Sequence, residues 1–182
     1  MIAYKFLRAG RRGLISRIVW PEPGETDASW LEAAPGELVA CRNGVHACRI
    51  DDLAYWIAEE LWEIELSGET QEITDAVVAR RGRLVRPIEA WRADAPRAFA
   101  KSCVARAEAH VDACSVPSDH LARSYAEQAK QLENTTYLAA LSHAAALAFA
   151  LTGPVANAKR AFRAERAVQG RLLAETAGLR LT

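Results

Sequence analysis

The 182-residue chain predicts an α+β fold: a small antiparallel or mixed sheet domain over residues 1–91, then an all-α antiparallel helical bundle over residues 92–182. Three observations carry this reading. All five tryptophans, Trp20, Trp30, Trp56, Trp62 and Trp91, lie in the first half, whereas alanine and helical periodicity dominate the second. Trp62, Ile64 and Leu66 alternate with Glu63 and Glu65, the period-two pattern of a half-buried strand. Apolar residues make up 51% of the chain, ample for a buried core.

In chain order, Ala3 to Leu7 is a short strand, and Pro21-Glu22-Pro23-Gly24 interrupts regular structure. The stretch Leu38 to Ile50 reads as a tight hairpin. Asn43-Gly44 is the strongest short signal for a two-residue type I′ turn, since both central positions need φ > 0. That register sets Cys41 against His46 and Val39 against Cys48, so Cys41, His46 and Cys48 share a face. Asp51 is a cap for a short helix through Glu60, with Leu53, Trp56 and Ile57 inward. The strand from Trp62 ends at a Ser67-Gly68 turn, and strands over Glu72–Ala79 and Arg83–Ile88 complete a sheet of five or six strands.

The second half predicts four helices, about 94–114, 118–132, 135–152 and 154–177. Pro96 suits a first turn, Ser118 an N-cap and Pro154 an N1 position, while Asn134 and Gly153 are breaks. Short connections imply antiparallel neighbours, and the third helix, apolar all round, belongs at the centre.

Lysine plus arginine balance aspartate plus glutamate at 23 each, which offers no general attraction to nucleic acid or anionic membrane. The halves differ, with 11 basic and 15 acidic residues before position 92 and 12 and 8 after it. Opposite charge of about −4 and +4 would favour docking of the two halves. The first residues lack the pattern of a secretory signal, so a cytoplasmic setting is expected, with the four cysteines reduced. The longest apolar run, Tyr137 to Leu151, is shorter than the roughly 20 residues that span a bilayer. A membrane partner is therefore not expected.

Cys41, His46 and Cys48 are zinc-type ligands if His110, Cys103 or Cys114 supplies a fourth group, but no Cys-x-x-Cys or His-x-x-x-His spacing occurs, and packing of cysteine as a small hydrophobe is favoured over metal. His46 beside Cys41 also suits an activated thiol, although buried inert cysteines are commoner. His46 alone suits contact with a ligand hydroxyl or acid–base work near neutral pH. Two arginine groups, Arg8, Arg11, Arg12 and Arg17, then Arg80, Arg81, Arg83 and Arg86, offer guanidinium forks for phosphate; pairing with the domain's own carboxylates is the competing reading. Gly10-Arg11-Arg12-Gly13 adds a turn whose backbone can approach an anion. Glu165, Arg166 and Gln169 lie within one turn of the last helix and suit an anchoring hydrogen-bond cluster.

The run Cys41-Arg-Asn-Gly-Val-His-Ala-Cys48, with Trp62-Glu-Ile-Glu-Leu-Ser-Gly68 and Arg83-Leu-Val-Arg-Pro-Ile-Glu-Ala-Trp91, resembles an uncharacterised bacterial and phage domain family with a Cys-x-x-Gly-x-His-Ala-Cys core. The order of elements in the first half is also similar to small ADP-ribosyltransferases of the rifampin-modifying type. Where those enzymes carry an early His-Gly-Thr-type motif, this chain reads Tyr4-Lys5-Phe6-Leu7-Arg8. The resemblance implies a nucleotide site for NAD or ADP-ribose, with His46 on the ribose, Arg8 or Arg83 on the phosphates, and Glu69 or Glu72 acting at the ribosyl centre. Two other readings stand beside it: a non-catalytic regulatory protein that binds a protein partner through its helical half, and a metal-bound hairpin.

Overall fold

The computed structural model describes residues 1–114, 120–131 and 137–179. The fold is α+β, and the chain divides into two compact units, Met1–Arg92 and Ala93–Thr182.

The first unit is a five-stranded antiparallel sheet. Its strands are β1 (Ile2–Leu7), β2 (Trp30–Glu32), β3 (Val45–Ala47), β4 (Glu60–Ile73) and β5 (Ala76–Pro87). β4 and β5 form a long hairpin, with β1 along the outer side of β4; β2 and β3 lie one after the other along the free side of β5. A bridge between Tyr4 and Cys48, with reciprocal backbone bonds of 3.0 and 2.6 Å, joins β1 to the residue after β3. Strands β1, β4, β5 and β3 thus close into a ring. Ala3, Leu7, Val45, Ala47, Ile64, Leu66, Val77 and Ala79 pack together on one face of these strands. The opposite residues of β1, Tyr4 and Phe6, are buried as well, and Phe6 meets Trp91 edge-on at 5.2 Å. Both faces of β1 are therefore covered.

Several local expectations need correction. Asn43-Gly44 is not the hairpin turn: Val39 bridges to Asn43, so the chain reverses over Ala40-Cys41-Arg42 and Cys41 itself takes φ 63°. The cause is that β3 spends its ladder on β5, with His46 opposite Val78, leaving no partner strand in residues 38–41. Gly44 has φ 150°, and a Cβ there would lie 2.2 Å from Val78 Cγ1, so glycine is required for close passage over β5. Ser67-Gly68 is not a turn either. The β4–β5 ladder passes from Ser67–Arg81 to Thr70–Ala79, one extra residue on β4, and Gly68 at φ 78° absorbs this bulge. The reversal comes at Thr74-Asp75, inside the stretch expected as a strand over 72–79. Finally, Asp51 caps no helix to Glu60. A short 3₁₀ helix spans Ile50–Tyr55 after Arg49, and Glu60 already pairs with Leu7 at the start of β4.

The second unit holds α1 (Ala95–Ala113), α2 (His120–Gln131), α3 (Leu138–Leu151) and α4 (Ala158–Thr176). Pro96 sits in the first turn of α1; Pro154 precedes a 3₁₀ turn, Val155–Asn157, that leads into α4. The expected cap Ser118 and break Asn134 lie outside the described residues. α3 packs against α1, α2 and α4, and its many alanines allow that central position. Between α3 and α4, Arg166 Nη1 donates to Ser142 Oγ at 2.9 Å and to Gln169 Oε1 at 3.0 Å, while Gln169 Nε2 donates to the Ser142 carbonyl at 3.0 Å. Glu165 accepts from Arg106 on α1 at 2.8 Å. The expected anchoring cluster is present and buried.

Candidate functional site

Alternation on β1 puts Lys5 on the same face as Ala3 and Leu7, where an apolar residue would be expected. Its Nζ donates to the His46 carbonyl at 2.5 Å and lies 5.2 Å from the centroid of the Trp20 ring. Among the described residues no carboxylate forms an ion pair with it. Burial pushes the ammonium down to about 8.

Lys5 lines a cavity of about 330 Å³, with Trp20, Leu31, Val45 and Ala47 among its apolar walls. The segment around Gly13–Ile18 borders the cavity as well, fastened by Gly13 N–H donating to the Ile18 carbonyl at 2.9 Å. Cys41 and Arg42 line it from the 40–42 turn.

His46 is part of this lining, yet its ring is already committed. Nε2 accepts from the Cys41 backbone N–H at 2.9 Å, and Nδ1 lies 3.2 Å from the Gly44 carbonyl. Only a neutral ring with its proton on Nδ1 satisfies both contacts. Burial, followed by the Lys5 charge, lowers its pKa and so favours that state. The imidazole clamps the turn while its own carbonyl holds Lys5. His46 also accepts from a backbone amide rather than from the Cys41 thiol. Cys48 is buried and its thiol is pushed up to about 12, chiefly by burial, so it stays protonated. Among the described residues no group of three or more His, Cys, Asp or Glu side chains is placed to hold a metal ion.

The remaining expected site residues lie outside the cavity lining. Arg83 pairs with Glu65 at 2.7 Å and donates to the Gly24 carbonyl at 2.9 Å. Glu69 pairs with Arg80, and Glu72 with Arg49, both at the surface. Glu72 stands opposite Val77, and Val77 opposite Ala47, so Glu72 projects from the face opposite to His46. Arg8 is exposed past the end of β1, whereas Arg83 is aligned with Ile2 through Glu65. Six residues of strand separate those levels, roughly 20 Å. The second arginine group is taken up by carboxylates and carbonyls, including Arg81 with Glu32 and Arg86 with Glu63. The Gly10–Gly13 turn does meet an anion, but it is the chain's own: the Gly10 and Arg11 amides donate to the Glu60 carboxylate at 2.9 and 3.3 Å.

Lys5 is the site residue that the sequence pattern did not single out. The available signal was a cation at an inward position in Ala3-Tyr4-Lys5-Phe6-Leu7, where apolar residues flank it on both faces. Comparison with known proteins gave no match: no family model, curated protein or solved structure matches the chain.

Proposed function

We propose that the first unit is a small-molecule binding domain, that its site is the cavity beside Lys5, and that the ligand is a ring-bearing anion of the nucleotide class. One observation carries this reading: among the described residues Lys5 forms no ion pair with a carboxylate, and it lines a mostly apolar cavity whose one lining carboxylate, Glu32, is paired with Arg81. Removing an ammonium from water is costly unless a counter-charge meets it, and a bound phosphate or carboxylate supplies one. Trp20, buried beside the ammonium, gives the cavity an aromatic wall against which the edge of a planar ring can pack. At about 330 Å³ the cavity lies at the small end of the roughly 300–1,000 Å³ typical of ligand pockets. It suits one half of a dinucleotide better than the whole, which favours ADP-ribose or a mononucleotide bound at one end over fully enclosed NAD.

On this reading the anion meets Lys5 rather than Arg8 or Arg83, and Arg42 is a second cation lining the cavity. His46 contributes by holding the turn and fixing Lys5. Binding is proposed without a transfer step, because Glu69 and Glu72 lie outside the lining. The test is a thermal-shift titration of the full chain with AMP, ADP-ribose and NAD, beside Lys5→Met. A ligand at 100 times its dissociation constant stabilises the native state by about 2.7 kcal/mol. The expected result is a saturable rise in melting temperature that Lys5→Met abolishes; a rise unchanged in the variant would remove Lys5 from the site.

A further inference from the structure

We propose that Lys5 captures carbonyl compounds: its Nζ condenses with a small aldehyde or ketone admitted to the cavity and forms an imine. This rests on the cavity's being a ligand site and narrows the chemistry of what enters it. An open-chain reducing sugar presents such an aldehyde.

Of the four lysines, Lys5, Lys101, Lys130 and Lys159, only Lys5 lines the cavity. Lys130 pairs with Glu108 and Glu127, and Lys101 and Lys159 are exposed. A lysine paired with a carboxylate is held in its charged, non-nucleophilic form. The partner of Lys5 is instead the neutral His46 carbonyl, which accepts an N–H from the amine as well as from the ammonium and leaves the amine's lone pair unused. Mostly apolar walls supply the second requirement, since they disfavour the charged form. At pH 7 a lysine titrating at about 8 is free amine in roughly a tenth of molecules, against a few in ten thousand for an ordinary lysine.

In the step itself, the Nζ lone pair attacks the carbonyl carbon and a C–N bond forms. The carbonyl oxygen takes up the two amine protons and leaves as water, and the C=N bond remains. No oxidant or reductant takes part, and hydrolysis reverses the reaction.

The experiment incubates the full chain at pH 7.5 with pyridine-4-carboxaldehyde and cyanoborohydride, which reduces an imine to a stable secondary amine, and maps the adduct by peptide mass spectrometry. Pyridine-4-carboxylate, which cannot condense, is titrated in parallel by thermal shift. The expected result is labelling at Lys5 at least tenfold faster than at Lys101 or Lys159, with a rate that rises through about pH 8. Intact-mass labelling should also fall by one site in Lys5→Met. Mapping on the parent protein decides the matter even where that variant does not fold. If the carboxylate raises the melting temperature but labelling is no faster at Lys5 than at Lys101 and Lys159, the imine is overturned and the anion site stands. If neither compound acts at the cavity, both readings fall.

Discussion

Each unit of this protein draws a cation into its interior, and the two do so in opposite ways. In the helical unit, Arg166 is buried against a hydroxyl and an amide that themselves interlock: Ser142 Oγ, Gln169 Oε1, and the bond from Gln169 back to the Ser142 carbonyl. In the sheet unit, Lys5 has one carbonyl, one aromatic ring and an open cavity. The first arrangement uses Nη1 of the cation to fix how α3 meets α4. The second sets the cation on the lining of a cavity, where a ligand can reach it. A buried charge therefore reads as structural or as functional according to whether packed side chains or a cavity face it.

Mutation separates the two cations most widely. Arg166→Met takes a donor from both Ser142 Oγ and Gln169 Oε1 in the buried bundle and is expected to cost about 2–4 kcal/mol, read from urea unfolding. A loss below about 1 kcal/mol would show that the network is not structural. Gly44→Ala forces a Cβ into Val78 and a strained φ, and is expected to cost about 2–3 kcal/mol by the same measurement while leaving Arg166 and its partners unaffected. His46→Ala removes the clamp on the 40–42 turn and is expected to cost about 1–2 kcal/mol, with faster hydrogen exchange at the Cys41 amide. Lys5→Met, by contrast, removes a charge that burial disfavours. It is expected to change stability by less than about 1 kcal/mol or to raise it, while abolishing the ligand response. The two cation variants should thus separate widely.

Acidity sharpens the same contrast by a smaller amount. Lys5 titrates lower in the fold than in the unfolded chain, so the folded state gains stability as pH rises from about 8 towards 10.5, and loses that increment as pH falls through about 8. Lys5→Met should flatten this part of a chemical-denaturation profile. His46 is also depressed, so its contribution is complete above its unfolded value of 6.5 and is lost as pH falls through the lower folded value. Protonation places a second donor against the Cys41 amide and opens the clamp, an effect that His46→Ala should remove.

Much of the fold was legible because its signals are periodic. The Trp62–Leu66 alternation is central in β4, and the apolar third helix is the one the others surround. What misled were cues read without knowledge of the partner strand. Asn43-Gly44 carries a strong turn signal, but β5 claims His46 and its neighbours, which moves the reversal to Cys41. Gly68 gives the local signal of a turn and serves a bulge, while the true reversal, Thr74-Asp75, lacks the glycine that marks a primed turn. At the candidate site, the Cys-x-x-Gly-x-His-Ala-Cys run borders the cavity, with Cys41, His46 and Cys48 all in its lining. The missing part was Lys5, which is brought to that segment by a bridge between residues 44 positions apart in sequence. No local pattern encodes such an encounter.

The proposed site depends on Lys5 as a cation that lines the cavity and, among the described residues, forms no ion pair with a carboxylate. The most direct test is an NMR titration of the lysine side-chain Cε–Hε signals, assigned through Lys5→Met, with and without ADP-ribose. Lys5 is predicted to titrate near 8 in the free protein, and bound anion to raise that value. A Lys5 that titrates near 10.5 and does not respond to the nucleotide would contradict the proposal.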